Sequence, residues 1–273
     1  MDYIQKAIDK ARDDRGQSSD HADQPNQKEA SSSIRSAKKN KSLGSLKDGI
    51  NYTKTRQVKV PDEVLLEQRI IAGFSFDQRA EPYFQLRTQV LQKLRANSWK
   101  TLAITSPNED AGKTVTAVNL AIALSKEVNQ TVLLVDLDLR NPGILKTLKI
   151  ETEFGLVDHL KGEASITEVL VNPGFERLVI LPGKADPNYS SEILSSPEMH
   201  ELIGDLTSRY ESRIIIFDLP ALLSNDDALA FIPEVDAALL VVEEGKTTPE
   251  QLERSMQLLE GTQLLGTILN KAD

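Results

Sequence analysis

The sequence predicts an α/β protein built on a doubly wound, mostly parallel sheet, preceded by a flexible N-terminal tail. Three observations lead to this fold class. From about residue 61 onward, short apolar runs alternate with helical patterns, which is the order of parallel βαβ units. Two of these runs, 214–217 and 238–242, are continuously apolar, as strands covered on both faces should be. Residues 17–56, in contrast, are rich in Ser, Asn, Gln and Lys and have almost no periodic apolar pattern.

The tail, which we place at residues 1–60, contains one exception to this polar character. Residues 2–14 have the apolar spacing of a short amphipathic helix. A helix of this length is marginal alone and gains stability by docking, so a docking helix and a fraying terminus both stay open. The apolar side chains that share one helical face are Tyr3, Ile4, Ala7, Ile8 and Ala11.

The domain that follows, residues 61–273, is predicted element by element. Its first two helices are 62–71 and 80–97, and Pro82 suits the first turn of the second helix. Strands are assigned to short apolar runs, and helices to the stretches with helical periodicity between them. The predicted strands are 101–106, 131–136, 177–181, 213–218, 236–242 and 264–269. The helices between them are 113–128, short pieces between 141 and 170, 197–210, a short helix near 225–231, and 248–260.

Composition limits the function. With 273 residues and 40% hydrophobic content, the chain can bury a full core. A net charge of −9 argues against nucleic acid as a partner, because nonspecific binding needs a positive surface. The chain contains no cysteine, so it has no thiolate metal site or disulfide. No apolar run approaches the roughly 20 residues of a spanning helix, and no signal peptide is recognisable, so we expect a cytoplasmic protein.

A phosphate-binding loop is predicted between the first strand and the helix that follows it. Gly112-Lys113-Thr114 closes the pattern G-x-x-x-x-G-K-[ST], in which backbone N–H groups cradle phosphates, Lys reaches the terminal phosphates and the hydroxyl binds Mg²⁺. Pro107 replaces the first glycine, but Asn108 and Asp110 are residue types that tolerate positive φ, so the cradle remains feasible. The predicted nucleotide-binding residues of the loop are Pro107, Asn108, Glu109, Asp110, Ala111, Gly112, Lys113, Thr114 and Val115.

Two acidic motifs lie at the ends of predicted strands. Asp136 and Asp138 follow the apolar run 132–135, and strand alternation predicts that both carboxylates point the same way. Asp218 ends the strand 213–218, where an Asp of a phosphate-loop enzyme binds Mg²⁺ directly or through water. A strand-terminal Asp is also a common turn former. The combination with the loop nevertheless favours a nucleotide site.

With these motifs, residues 80–270 resemble the bacterial tyrosine kinases of exopolysaccharide and capsule export. This family is a branch of the phosphate-loop (P-loop) NTPases that also includes the ParA/MinD-type partition ATPases. The resemblance is carried by 112–114, by Asp-Leu-Asp-Leu-Arg at 136–140, by Asp-Leu-Pro at 218–220, and by the segment 188–196.

Other features narrow the resemblance. The partition ATPases carry a second Lys early in the loop, where this chain has Asn108, and this difference favours the kinase branch. The opening residues 1–11, the polar linker and residues 241–248 are similar to the free-standing kinases of exosortase-linked polysaccharide systems.

The resemblance implies a site that binds ATP and Mg²⁺. Lys113 would contact the β and γ phosphates, and Asp136 would accept the proton of an incoming tyrosine hydroxyl. Arg140 would neutralise phosphate or brace the carboxylates, with a surface ion pair as the alternative. The residues implied to be catalytic are Asp136, Asp138, Lys113 and Arg140. The residues implied to hold Mg²⁺ are Thr114, Asp138 and Asp218.

The sequence contains signals for two nucleotide bases, adenine and guanine. The resemblance implies that Asn270 lies beside adenine. Asn270-Lys271-Ala272-Asp273 also has the form of the guanine-selecting N-K-x-D of GTPases, so GTP stays an alternative to ATP.

The resemblance also implies a membrane-embedded polysaccharide chain-length (co-polymerase) protein as partner. The location would then be cytoplasmic, peripheral at the inner face of the cell membrane. Homo-oligomer formation is open, because the family's Glu-x-x-Arg-x-x-Arg motif is present as 81–87 with Phe84 at its middle position.

The acceptor tyrosine does not follow from the resemblance, because the family's tyrosine cluster comes after the last strand and this chain has no tyrosine after Tyr210. Tyr3 and Tyr52 lie in the tail and are candidate acceptors. Two alternatives to a tyrosine autokinase therefore stay open: a partition-type ATPase switch, and a nucleotide-binding regulatory subunit without phosphoryl transfer. The tyrosines available are Tyr3, Tyr52, Tyr83, Tyr189 and Tyr210.

Overall fold

A single eight-stranded sheet is the centre of the computed structural model, which describes residues 55–210 and 212–272. Neighbouring strands pair in parallel, except for one antiparallel pair near one edge. The predicted α/β fold with a mostly parallel sheet is therefore confirmed. The strands are β1 (Arg56–Gln57), β2 (Thr101–Thr105), β3 (Thr131–Asp136), β4 (Val171–Asn172), β5 (Leu178–Leu181), β6 (Arg213–Asp218), β7 (Ala237–Glu243) and β8 (Leu264–Asn270).

The order of strands across the sheet is β1-β4-β5-β3-β6-β2-β7-β8. Strand β6 therefore lies between β2, which leads into the phosphate loop, and β3, which ends in Asp136. This order brings the three predicted motifs to one edge of the sheet, because the carboxyl ends of parallel neighbours meet there. The antiparallel pair is β4 with β5.

Helices cover both faces of this sheet. The longest, Glu81–Asn97, packs against Lys113–Ser125, which lies directly on the sheet and is buried at nearly every position. Among the described helices none has the length and apolar character needed to cross a membrane. The helices are α1 (Asp62–Glu67), α2 (Glu81–Asn97), α3 (Lys113–Ser125), α4 (Ile144–Leu148), α5 (Leu156–Leu160), α6 (Ile166–Val169), α7 (Ser190–Leu194), α8 (Pro197–Ser208), α9 (Asp227–Phe231) and α10 (Pro249–Leu258), with 3₁₀ turns at Gln78–Ala80 and Ile232–Glu234.

Strand alternation divides the apolar core into two layers. Along β2, Leu102 and Ile104 pack into the layer beneath α3, whereas Ala103 packs into the layer on the opposite face. Strand β6 follows the same rule, with Ile216 on the α3 side and Phe217 on the other. The central strands are apolar on both faces because each face packs into one of the two core layers. This explains the continuously apolar runs in the sequence.

Two short strands at one side of the sheet are absent from the sequence prediction. Strands β1 and β4 contain two residues each and pair with one another, so neither carries a periodic signal. Because β1 is Arg56–Gln57, the sheet begins a few residues before the predicted start of the domain at residue 61. The division of the chain at residue 60 stays a prediction. The helix predicted at 2–14 lies outside the described residues.

Candidate active site

The loop between β2 and α3 turns tightly at two positions before the helix begins. Gly112, the N-cap of α3, has φ 91°, and Asp110 has φ 59°. Of the two residues expected to tolerate positive φ, Asp110 therefore uses this conformation and Asn108 does not. The Asn108 amide instead donates to Oε1 of Gln251 at 2.9 Å, in the first turn of α10. A side-chain contact thus helps to fix the loop that lacks its first glycine.

The end of β8 holds the loop from its other side. The Asn270 amide donates to the Ala111 carbonyl at 2.8 Å, and Lys271 Nζ donates to the Asp110 carbonyl at 2.6 Å. A Cβ on Gly112 would collide with the Asn270 amide. Asn270 was predicted to lie beside the base and Lys271 had no predicted role, whereas both side chains hold the loop backbone. A contact of Asn270 with a base stays a prediction, and Asp273 of the N-K-x-D pattern lies outside the described residues.

Two buried carboxylates face each other across neighbouring strands behind the loop. Asp136 of β3 and Asp218 of β6 are register partners, 1% and 0% exposed. Asp136 accepts hydrogen bonds from the backbone N–H groups of Ile144 at 2.9 Å and Asp138 at 3.3 Å. Burial, followed by the charge of Asp218, raises the pKa of Asp136 to about 8. Burial likewise raises the pKa of Asp218 to about 6, although Lys113 opposes the shift.

Lys113 supplies the positive charge at the centre of this cluster. Its Nζ forms an ion pair with Oδ2 of Asp138 at 2.8 Å. Burial lowers the pKa of Lys113, but Asp218, Asp138 and Asp136 together raise it by more, so the amine stays charged. In this structure Lys113 therefore neutralises carboxylates with the same atom that would contact phosphates.

Strand alternation does not orient Asp138, contrary to the prediction, because β3 ends at Asp136. The chain turns immediately after the strand, and the Asp138 carboxylate accepts from the backbone N–H of Asn141 at 3.1 Å. The turn nevertheless brings Asp138 to Lys113, so the two carboxylates of the motif reach one cluster by another route than the one predicted.

The cluster fits a divalent cation. Among the described residues, neither carboxylate oxygen of Asp218 has a hydrogen-bond partner in spite of full burial, and the Thr114 hydroxyl is near enough to lower the Asp218 pKa. A buried acceptor without a partner has to be satisfied by an ion or by water. Residues 55–210 and 212–272 contain no group of three or more His, Cys, Asp or Glu arranged around a metal. A buried carboxylate beside a hydroxyl suits Mg²⁺, which is usually held by one or two carboxylates and completes its shell with phosphates and water.

Arg140 pairs with a residue that the sequence did not single out. Its Nε donates to Oδ2 of Asp227 at 2.8 Å and its Nη2 donates to Oδ1 at 3.0 Å. The Arg140 side chain is 40% exposed and the Asp227 side chain is fully buried. Arg140 is therefore in an ion pair, as the alternative expected, and its partner is a buried carboxylate. From the sequence, Asp226 and Asp227 have no feature beyond acidic residues at the start of a short helix.

An open cavity of about 360 Å³ connects these elements in front of the loop. The predicted site residues that line it are Glu109, Asp110, Gly112, Lys113, Thr114, Val115, Asp138 and Arg140. The predicted site residues that lie outside its lining are Pro107, Asn108, Ala111, Asn270, Asp136 and Asp218. A second cavity of about 650 Å³ is lined by Asp136 and by Leu145 and Lys146 of α4.

Comparison with known proteins defines the class to which this fold and site belong. Residues 102–273 match the family model of the CobQ/CobB/MinD/ParA nucleotide binding domain. Tyrosine-protein kinase YwqD of Bacillus subtilis is 31% identical over 193 residues, which are 70% of this chain and 80% of YwqD. Tyrosine-protein kinase CpsD of Streptococcus pneumoniae serotype 4 is 30% identical over 202 residues, 72% of this chain and 87% of CpsD. The chain therefore belongs to the bacterial tyrosine-protein kinases within this nucleotide-binding class.

The chain is also similar to a polysaccharide transport protein and to two solved kinase domains. The chain is 34% identical over 211 residues to the succinoglycan biosynthesis transport protein ExoP of Rhizobium meliloti, but spans only 26% of its length. The kinase domain of VpsO is 28% identical with a TM-score of 0.63, over 71% of this chain and 97% of that domain. The kinase domain of the Escherichia coli tyrosine kinase ETK has a TM-score of 0.68 over 82% of this chain and 92% of that domain, and at 24% identity it supports the fold alone.

Proposed function

We propose that this protein transfers the terminal phosphoryl group of Mg-ATP to tyrosine hydroxyls and thereby regulates exopolysaccharide polymerisation or export. The observation that carries the proposal is the convergence of Lys113, Asp136 and Asp218 behind a phosphate loop, with Asp138 and Arg140 at the cavity in front. The relatives named as tyrosine-protein kinases support tyrosine as the acceptor of the phosphoryl group.

The loop residues bind and position the nucleotide. The N-terminus of α3 and the turn at Gly112 present backbone N–H groups to phosphate oxygens. Lys113 exchanges its bond to Asp138 for the phosphates, which releases that carboxylate toward the cation. Mg²⁺, when bound by Thr114, Asp138 and Asp218, would neutralise charge on the phosphates.

Asp136 acts as the proton acceptor in this proposal. Its raised pKa of about 8 is near the pH of the cytoplasm, where a general base is most effective. The backbone N–H groups of Ile144 and Asp138 fix the orientation of its carboxylate. The tyrosine hydroxyl gives its proton to Asp136 as its oxygen bonds to the phosphorus, and ADP leaves.

The test is phosphotyrosine formation by the full chain with Mg-ATP. Lys113→Met and Asp136→Asn should each abolish the signal. Lys126→Met is the matched control, because Lys126 lies just beyond the other end of α3 and contacts Gly73 and Ser75 instead of the site. Release of ADP and phosphate with every tyrosine unmodified would favour the partition-type ATPase switch, and no nucleotide binding at all would refute both proposals.

Mass spectrometry of the same samples would locate the acceptor. Within the described ranges, Tyr189 and Tyr210 are accessible, at 63% and 51% exposure, whereas burial raises the pKa of Tyr83. Tyr3 and Tyr52 lie outside those ranges. Adding the cytosolic segment of a membrane-embedded chain-length protein tests the proposed partner and, through it, the peripheral location at the membrane. A rise in phosphotyrosine would support both.

A further inference from the structure

The contact between Arg140 and Asp227 joins two motifs that are distant in sequence. Arg140 follows β3 at the end of Asp-Leu-Asp-Leu-Arg, and Asp227 is the first residue of α9. Two parallel N–H···O bonds fix both the position and the plane of the guanidinium, which a single bond would not do.

Contacts at both ends of α9 fix the position of Asp227. Its backbone N–H is fixed, because it donates a hydrogen bond to Oδ1 of Asn225 at 3.0 Å. At the other end of α9, the Phe231 ring packs edge-on against Phe217 of β6, with ring centroids 4.8 Å apart. Asp218 comes directly after Phe217, so the same segment that places the buried Asp218 also places Asp227.

The pair leaves part of the guanidinium available. A guanidinium has five N–H groups, and the two bonds to Asp227 use one on Nε and one on Nη2. The remaining N–H groups include both on Nη1. Arg140 lines the cavity together with Lys113 and Thr114, and its side chain is partly exposed there.

We propose that Asp227 is a positioning residue that aims the free N–H groups of Arg140 at the terminal phosphate of the bound nucleotide. This inference rests on the proposed function, because it needs a nucleotide triphosphate in the loop. A purely structural pair would tie the end of β3 to α9 and would have no preference between nucleotides. A positioning pair acts only on the phosphate that ADP lacks.

The experiment compares the full chain with four variants: Asp227→Asn, Arg140→Ala, the double variant, and the matched control Asp226→Asn. Asp226 is exposed and makes no bond to Arg140, although its charge adds to the effect of Asp227 in raising the Arg140 pKa. Calorimetry with Mg²⁺ measures the affinity for ADP and for a non-hydrolysable ATP analogue, and a second assay measures the rate of phosphoryl transfer.

Asp227→Asn should weaken the ATP analogue by roughly 10-fold and leave ADP within about 2-fold, since one charge-assisted contact to phosphate is lost. The transfer rate should fall roughly 10- to 100-fold, as is usual when a supporting partner of a site residue is removed. In the Arg140→Ala background, adding Asp227→Asn should change neither quantity further. Asp226→Asn should behave as the unmodified protein.

Three results would overturn the inference. One is an Asp227→Asn protein whose ratio of affinities for the ATP analogue and ADP equals that of the unmodified protein. Another is an equal loss for ADP and the analogue, and the third is a further loss when Asp227→Asn is added to Arg140→Ala. If the unmodified protein binds no nucleotide, the proposed function fails and the inference fails with it.

Arg140→Lys keeps the test usable if Asp227→Asn does not fold. Lysine retains the charge but cannot make the two parallel bonds, so it should lose the same preference for the ATP analogue. Retention of that preference in Arg140→Lys would refute the positioning role.

Discussion

Asp218→Asn should stabilise the protein in the absence of metal while removing a ligand for Mg²⁺. Asp218 is fully buried and its carboxylate oxygens have no hydrogen-bond partner among the described residues. Because burial raises its pKa from 3.8 to about 6, the folded state holds its proton over a range of pH in which the unfolded state has lost it. The free energy of unfolding therefore falls as the pH rises between about 4 and 6, and stays low above that window.

The size of the effect follows from the same shift. Two pKa units correspond to about 3 kcal/mol, which is the cost of the ionised carboxylate at pH 7. Asparagine has no such cost, but its amide would bury polar atoms without partners at a cost of about 1 kcal/mol. The expected gain is about 2 kcal/mol at pH 7, disappearing near pH 4, where the folded state keeps the carboxyl protonated and the unfolded state, with a pKa of 3.8, binds the proton about half of the time. Asp136 acts in the same direction, because the charge of Asp218 helps to raise the Asp136 pKa and is absent from the variant.

The assay is urea unfolding in EDTA at several values of pH, followed by circular dichroism. Asp205→Asn is the control, because Asp205 is exposed on α8 and its replacement should change stability by less than about 0.5 kcal/mol. With Mg²⁺ and nucleotide the order should reverse, since ligand binding stabilises only the protein that retains its ligands. An Asp218→Asn protein that is less stable at pH 7, or a gain that is the same at pH 4 and pH 7, would refute the reasoning.

Two further predictions concern stability around the loop and the arginine. Arg140→Ala should lower the free energy of unfolding by roughly 1–3 kcal/mol, because the buried Asp227 loses its ion-pair partner, although solvent already screens the exposed guanidinium. Adding Asp227→Asn should restore much of this loss, and a double variant no more stable than Arg140→Ala in urea would contradict this account. Gly112→Ala should weaken nucleotide binding, because it combines a strained φ with displacement of the Asn270 amide from the Ala111 carbonyl. Gly162→Ala is the control, because it has a similar backbone strain of about 1–2 kcal/mol but no atom within 4 Å of its added Cβ. Equal losses in unfolding free energy for the two glycine variants would show that the contact with Asn270 has no effect.

The parts of the fold that the sequence predicts well are those with a local cause. Strands β2, β3, β6 and β7 are continuously apolar because both faces are covered, and that pattern is visible in any short window. Strands β1 and β4 escape prediction because two residues have no period, and their pairing depends on segments more than a hundred positions apart. The same distinction holds within the site.

The site motifs were recognisable because each lies within a few residues of sequence, whereas the partners of those motifs were not. Arg140 and Asp227 are 87 positions apart, and Asn108 and Gln251 are 143 positions apart. No periodicity or spacing connects such residues. Only the strand order, which places β6 beside both β2 and β3, brings the segment after Asp218 against the end of the second motif.

Buried carboxylates that face each other destabilise a fold but favour the binding of a cation. Asp136 and Asp218 are buried opposite each other, and Lys113 is the ammonium group that interacts with both. When Lys113 turns to phosphate, these carboxylates lose their compensating charge unless a cation arrives with the nucleotide. Nucleotide and Mg²⁺ should therefore bind together, each weakly alone. The absence of tyrosine after Tyr210 leaves this coupled binding unaffected, because it depends on the carboxylates and the loop and not on the acceptor.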